Sequence, residues 1–298
     1  MKKLLFTINN CQKMARSLTL LTPLKKGRCK LGRFADREIL VQVQESVRGL
    51  DVFVLGSTCP PCDNLVELLL LLHALKVNGA KRIHLVMPYF GYAKADEIKP
   101  KGTSLAAKLV AEAIALAGAT DLTVVNLHSE KALSFLPMPV CQLSAMTLLA
   151  NYFKKKKLKD LAVAAPDKGG ILRAQEFAAA LGIGKIIRMR KKRPGFDKVQ
   201  MIGFQGDVKG KNVIIADDMI QSGCTLQKAA LALRLAGAKN VYAAATHLLP
   251  SGPAIKLLEK ERALTEIVVT NTVLANEKLP KKFKVLRIEP LLAAALQS

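Results

Sequence analysis

Long hydrophobic runs are missing from this 298-residue chain. The most apolar stretch near its start, Leu65 to Leu72, is interrupted by Glu67 and closed by His73, well short of the roughly 20 apolar residues that cross a bilayer. No transmembrane helix is expected. A secretion signal is not expected either: Met1-Lys2-Lys3 followed by Leu4-Leu5-Phe6 begins like one, but Thr7-Ile8-Asn9-Asn10 ends the apolar run too early. Cysteine is sparse, with six residues scattered at 11, 29, 59, 62, 141 and 224, which excludes a disulfide-stapled secreted domain. Cys59-Pro60-Pro61-Cys62 has redox or zinc spacing, yet no second Cys or His pair stands where a metal site would need it. The segment reads as a turn, and the chain as cytoplasmic.

Carboxylates are the other scarcity. Against 46 Lys plus Arg there are 23 Asp plus Glu, a formal charge of +23. That surplus suits polyanionic partners, either phosphorylated small molecules or nucleic acid, and charge alone does not choose between them. Half of the residues are hydrophobic and evenly spread, which excludes a disordered basic tail protein. Gly and Pro follow no collagen-like repeat. At about 100–200 residues per domain, the length suggests two domains, each able to hold its own core.

What the chain does have is alternation. Asp51 to Leu55 reads as a strand, Asn64 to Lys76 as a helix, Arg82 to Met87 as a strand, Ser104 to Ala117 as a helix and Leu122 to Asn126 as a strand. Such order implies βαβ crossovers and a mostly parallel sheet. Three joints repeat one recipe, a helix closing on Gly-Ala before a strand, at Gly79-Ala80, Gly118-Ala119 and Gly237-Ala238. Because two of them lie in opposite halves of the chain, two similar α/β domains are expected, residues 1–145 and 146–298. The lysine run Lys154 to Lys157, before the strand Leu161 to Ala164, marks the boundary region and reads as a solvated helix end. The last helix, Glu289 to Gln297, is free to return to the first domain.

The strongest chemical signal runs from Asn212 to Leu226. A buried apolar strand, Val213 to Ala216, ends in Asp217-Asp218, and the loop Gln221-Ser222-Gly223-Cys224-Thr225 then opens a helix. In an open α/β sheet ligands sit at the carboxyl ends of strands, and a helix N-terminus offers N–H groups and a favourable dipole to a phosphate. Ser222 and Thr225 add hydroxyl donors, while Asp217 and Asp218 can accept from vicinal ribose hydroxyls or hold Mg²⁺ through water. The combination suits a ribose 5-phosphate. The competing reading is an ordinary N-cap after a strand, which leaves the paired carboxylates unexplained.

This loop resembles the phosphoribosyl-binding motif of type I phosphoribosyltransferases and ribose-phosphate diphosphokinases. Further segments, in order over nearly the whole chain, select the diphosphokinases: Phe34-Ala35-Asp36-Arg37-Glu38, Ser57-Thr58, Pro88-Tyr89-Phe90-Gly91-Tyr92-Ala93, Leu127-His128, Pro166-Asp167-Lys168-Gly169-Gly170, Arg190-Lys191-Lys192-Arg193-Pro194 and Thr246-His247. The resemblance implies an α/β fold of two tandem phosphoribosyltransferase-like domains, each a mostly parallel sheet flanked by helices. It implies transfer of the diphosphoryl group of Mg-ATP to O1 of ribose 5-phosphate, giving phosphoribosyl diphosphate and AMP, with Mg²⁺ as cofactor.

The roles it implies are specific. Lys191 and Arg193, on a basic flexible loop, would be catalytic. Phe34, Asp36, Glu38, Lys94, Asp96 and His128 would bind ATP, and Asp217, Asp218, Gln221, Ser222, Gly223, Cys224 and Thr225 would bind ribose 5-phosphate. Asp167, Lys168, Gly169 and Gly170 would form the pyrophosphate loop, and His128 and Asp167 would contact metal. The Phe34 element would reach a neighbouring subunit, which implies a homo-oligomer, a hexamer built from dimers. No membrane partner is implied, and nucleic acid ranks last among the partners.

Departures from the family pattern matter as well. Lys94-Ala95-Asp96 stands for Arg-Gln-Asp, Asn126 for an Asp, and Gln221-Ser222-Gly223-Cys224-Thr225 for Asp-Thr-Ala-Gly-Thr. The segment Glu97 to Thr103 lacks the arginines and serine of the phosphate-activated members. The altered Lys94-Ala95 and Gln221-to-Cys224 segments motivate an alternative, a catalytically weak or inactive regulatory paralogue that binds nucleotide and a partner subunit. A Cys at 224 would be strained if that position needs positive φ, unless Gly223 takes over the turn.

Overall fold

The computed structural model describes residues 3–195, 198–273 and 278–297, and the side chains of these except at 191–195 and 198–202. The chain divides into two compact units, Met1–Leu143 with Ile288–Ser298, and Ser144–Arg287.

The first unit holds strands β1 (Leu4–Thr7), β2 (Lys25–Lys26), β3 (Cys29–Arg33), β4 (Ile39–Val43), β5 (Asp51–Leu55), β6 (Arg82–Met87), β7 (Asp121–Val125) and β8 (Val140–Leu143). Its helices are α1 (Gln12–Leu21), α2 (Asp63–Val77), α3 (Ala106–Ala117) and α4 (Glu130–Leu133). Six strands form one parallel sheet in the order β2-β1-β5-β6-β7-β8. β3 and β4 pair antiparallel as a separate hairpin. The leucines of α2 explain its place: Leu68, Leu71, Leu72 and Leu75 recur at helical spacing and are fully buried with Val52, Val54 and Leu85 of the sheet.

The second unit carries α5 (Met146–Lys155), β9 (Leu161–Ala165), α6 (Ile171–Leu181), β10 (Ile186–Gly195), β11 (Lys198–Gln205), β12 (Asn212–Ile220), α7 (Cys224–Leu235), β13 (Asn240–Leu248), α8 (Ala254–Lys260), β14 (Glu266–Thr270) and β15 (Phe283–Leu286). The sheet order is β11-β10-β9-β12-β13-β14-β15, parallel except at its β11 edge. Both faces are covered, one by α7 with Leu226, Ala229, Ala230 and Leu233, the other by α5 and α6 with Phe153, Phe177 and Ala178. Burial on both faces is why β12 and β13 read as continuous apolar runs rather than alternating ones. The last helix, α9 (Glu289–Gln297), belongs to the first unit, where it packs on α1 and Gln297 Nε2 donates to Leu21 O at 2.8 Å.

Gly79, Gly118 and Gly237, at the three repeated joints, all take positive φ, so each closes its helix and turns the chain back to the sheet. Among the described residues no helix is long and apolar enough to cross a membrane.

Candidate active site

In the second unit the order reversal between β9 and β12 places two strand ends side by side. β12 is buried from Asn212 to Ala216 and then presents Asp217 and Asp218. Asp218 is 3% exposed, and its Oδ1 lies 3.2 Å from Arg173 Nη2 in the first turn of α6. The backbone N–H of Asp218 donates to Asp217 Oδ1 at 2.9 Å. Thus one carboxylate of the pair is held by a guanidinium and the other is tied to the strand end.

The following loop is shaped by Gly223. Its φ is +75°, and a Cβ there would lie 2.9 Å from Leu258 Cγ, so both conformation and space call for glycine. Cys224 is the first residue of α7 and is absent from the positive-φ residues. The strain expected if 224 took the turn is therefore avoided, because the turn has moved one residue towards the N-terminus. Ser222 Oγ accepts from Cys224 N at 3.4 Å. As the N-cap, Gly223 supplies no side-chain acceptor, so α7 keeps first-turn N–H groups for an anion.

Next to it, at the end of β9, Asp167 caps a 3₁₀ turn, Lys168–Gly170, by accepting from Gly170 N at 3.0 Å. A Cβ on Gly170 would sit 3.7 Å from Asp167 Oδ1 and 3.8 Å from Asp217 Oδ1. Two carboxylates thus flank one bare, buried glycine. Burial pushes the Asp217 carboxyl well above the usual carboxylate range, the negative charges of Asp218 and Asp167 add to this, and Arg173 opposes it. Such a donor set fits a hard divalent cation, whose charge would relieve that repulsion. Among the described residues no three His, Cys, Asp or Glu side chains converge as a closed cage, and Mg²⁺ is commonly held by one or two carboxylates with waters and substrate phosphates.

Further residues support this site. Arg173 carries no local sequence signal, because an Arg one turn into a helix looks like a surface residue. At the end of β13, next to β12, His247 pairs with Met219 in register. It is 2% exposed, with Nδ1 2.8 Å from Thr272 Oγ1, and Thr270 Oγ1 donates to Thr246 O at 2.7 Å. Thr246-His247 is one of the segments that carry the family resemblance, and Thr270 and Thr272 stand at and just past the end of the neighbouring apolar strand.

The first unit places the expected ATP residues in two groups. Phe34, Asp36 and Glu38 form the exposed tip of the β3–β4 hairpin, where Phe34 N donates to Glu38 O at 2.9 Å and Asp36 Oδ1 accepts from Glu38 N at 3.0 Å. Arg33 pairs with Asp63 at the start of α2. Asp96 and His128 form the second group: Ser129, next to His128, donates to Asp96 and also caps α4 by accepting from Ala132 N at 3.0 Å. Lys131 Nζ lies 3.7 Å from Glu97 Oε1. Lys94 is exposed on the same loop. The Cys59-to-Cys62 segment is a turn before α2, with both thiols free and Cys62 Sγ 3.2 Å from Tyr92 Oη.

The basic segment needs a correction. The expected flexible loop is the distal part of a β-hairpin: β10 continues through Lys191 and Arg193 to Gly195 and pairs antiparallel with β11. Pairing with β11 extends a segment that the family pattern marks as a basic flexible loop. The pairing slips by one residue between Arg190↔Gly203 and Lys191↔Met201, a bulge that kinks the arm. The side chains of Lys191 and Arg193 lie outside the described residues.

Comparison with known proteins now bears on this geometry. Residues 3–118 match the family model described as the N-terminal domain of ribose phosphate pyrophosphokinase, and residues 162–298 match the phosphoribosyl synthetase-associated domain. The chain is 39% identical over 294 residues to a ribose-phosphate pyrophosphokinase of Bacillus caldolyticus, covering 98% of this chain and 93% of that protein. The chain belongs to the ribose-phosphate pyrophosphokinase family. Another relative, from Caldanaerobacter subterraneus, is 41% identical over 98% of this chain and 93% of its own length. Among solved structures, the phosphoribosylpyrophosphate synthetase from Mycobacterium smegmatis superposes with a TM-score of 0.91 at 34% identity, covering 100% of this chain and 98% of that one. Two phosphoribosyltransferase-like α/β units are thus the fold of this ribose-phosphate pyrophosphokinase family member, as the resemblance implied.

Proposed function

We propose that the chain transfers the intact diphosphoryl group of Mg-ATP to O1 of ribose 5-phosphate. The bond from O1 to the β-phosphorus forms, the bond from that phosphorus to the α-phosphate oxygen breaks, AMP leaves, and the 1-hydroxyl proton is lost. The observation that carries this reading is the joint occurrence of Asp217-Asp218, an α7 N-terminus whose N-cap residue Gly223 brings no side chain, and Asp167 beside the bare Gly170.

The residues divide the work. The helix end with Ser222 and Thr225 takes the 5-phosphate, and Gln221, Gly223 and Cys224 shape the loop around it. Asp217 and Asp218 accept from the ribose hydroxyls and so aim O1. Asp167, Lys168, Gly169 and Gly170 bring backbone N–H groups and one carboxylate to the diphosphoryl group. Phe34 stacks on adenine while Asp36 and Glu38 accept from it, and Lys94, Asp96 and His128 hold the rest of ATP. Lys191 and Arg193 neutralise charge that develops on the transferring phosphates, the main demand of such chemistry.

Asp167, in the second unit, would hold Mg²⁺ and His128, in the first, would contact metal, and the ion would neutralise charge on the ATP phosphates. An exposed hairpin tip bearing Phe34 suits reaching a neighbouring copy, so a dimer-based hexamer is part of the proposal. Free thiols suit the cytoplasm, where they stay reduced. Nothing in the fold or in the comparisons favours the non-catalytic alternative. AMP release from Mg-ATP, measured with and without ribose 5-phosphate, tests the reading. Ribose-dependent AMP supports it; bound ligands with no AMP would replace it with the regulatory paralogue.

A further inference from the structure

A net charge of +23 exceeds what two phosphorylated substrates call for, and part of it lies away from their site. In the second unit α5 and α7, and the antiparallel strand β11, each return the chain to the start of a strand, so the loops entering β9, β12 and β13 gather at the end of the sheet opposite Asp217 and Gly223. Hydrogen bonds join these loops side by side: Asn212 N donates to Asp160 O at 2.9 Å, Gly210 N to Gly237 O at 2.8 Å and Lys239 N to Lys211 O at 2.8 Å. Side-chain amides continue the row, Asn212 Nδ2 to Lys159 O at 2.7 Å and Asn240 Nδ2 to Asn212 Oδ1 at 2.8 Å.

On this surface Lys155, Lys157, Lys159, Lys209 and Lys239 are exposed, and among the described residues none of them has an ion-pair partner. Their neighbours differ: Lys156 pairs with Glu266 at 2.9 Å and Lys211 with Asp207 at 3.0 Å. Helix C-termini favour cations, but at about half a negative charge each, the ends of α5 and α7 account for only about one of these ammonium groups.

We infer that this surface binds nucleic acid through its phosphate backbone, without reading bases. Lysine docks phosphate as a compact point charge, and strand entries roughly 4.8 Å apart in their backbones bring the loops that bear these lysines side by side. Among the described residues no exposed aromatic side chain stands in these loops to stack a base. Leu231 and Leu235, one turn apart near the end of α7, are exposed beside them, and two leucines make neither the packed apolar centre of a protein interface nor a face that inserts into lipid.

Fluorescence anisotropy of the full-length protein with a labelled single-stranded RNA of mixed sequence, over a salt series, tests this. Binding at low salt is expected, with log K falling against log salt at a slope of about −3 to −4 for five contacts. Ribose 5-phosphate and ATP should not displace the RNA. Changing Lys155, Lys157 and Lys159 to Glu should flatten the slope by about 2 while AMP formation stays at the wild-type rate. Lys209→Glu with Lys239→Glu, on different loops, provides a second variant should the first fail to fold, and should flatten the slope by about 1 to 2. The inference is overturned by no binding at low salt, by displacement with the two substrates, by unchanged slopes in a folded variant, or by equal binding of polyglutamate or phosphatidylserine vesicles.

Discussion

Gly223 shows how much a single residue carries here. With φ at +75° and Leu258 Cγ 2.9 Å from where a Cβ would stand, Gly223→Ala must shift both the ribose loop and α8. We expect a stability cost of about 1–3 kcal/mol, measured by urea unfolding, and a raised KM for ribose 5-phosphate; an unchanged KM would mean that this loop does not hold the phosphate. Cys11 gives a pH prediction. Burial pushes its thiol from 9.0 up to about 12, so the native state binds this proton more tightly than the unfolded chain. The stability this confers is intact below about pH 9 and is lost as pH rises towards 12. Urea midpoints across that range should fall less steeply for Cys11→Ala than for the wild type, and parallel curves would contradict the assignment. At this scale the sequence was legible where a residue type has one physical use, as with Gly223. It was silent on Arg173, whose role depends on α6 meeting β12 and leaves no local pattern.

Among the elements, strands buried on both faces declared themselves: Asp51–Leu55 and Arg82–Met87 have the bounds their apolar runs suggested. The β10–β11 hairpin did not, since Lys191-Lys192-Arg193-Pro194 resembles a basic loop and its extended form comes from pairing of Lys191 and Lys192 with Met201 and Gln200 of the adjacent strand. α8 offers a test of how an element is closed. Lys282 Nζ donates to Leu258 O (3.0 Å), Glu259 O (2.6 Å) and Glu261 O (2.8 Å), capping carbonyls at the helix end that lack partners within the helix. Lys282→Met keeps the stem and removes the donors, so unfolding free energy should drop by about 1–3 kcal/mol with little change in AMP formation. A drop near zero would show that water satisfies these carbonyls equally well.

For the molecule as a whole, two units of one fold carry different parts of one proposed reaction. The Asp217, Asp167 and α7 constellation lies in the second unit, and the Phe34 hairpin with Asp96 and His128 in the first. The basic hairpin arm supplies Lys191, and Lys191→Ala is expected to abolish turnover with the fold intact; near-normal activity in a folded variant would remove the arm from the mechanism. The direct measurement of the central claim is ³¹P NMR of the protein with Mg-ATP and ribose 5-phosphate. The account predicts a new diphosphate pair attached at C1 of ribose, growing in step with AMP and with no ADP. ADP, or free phosphate in place of the ribose-bound diphosphate, would contradict it.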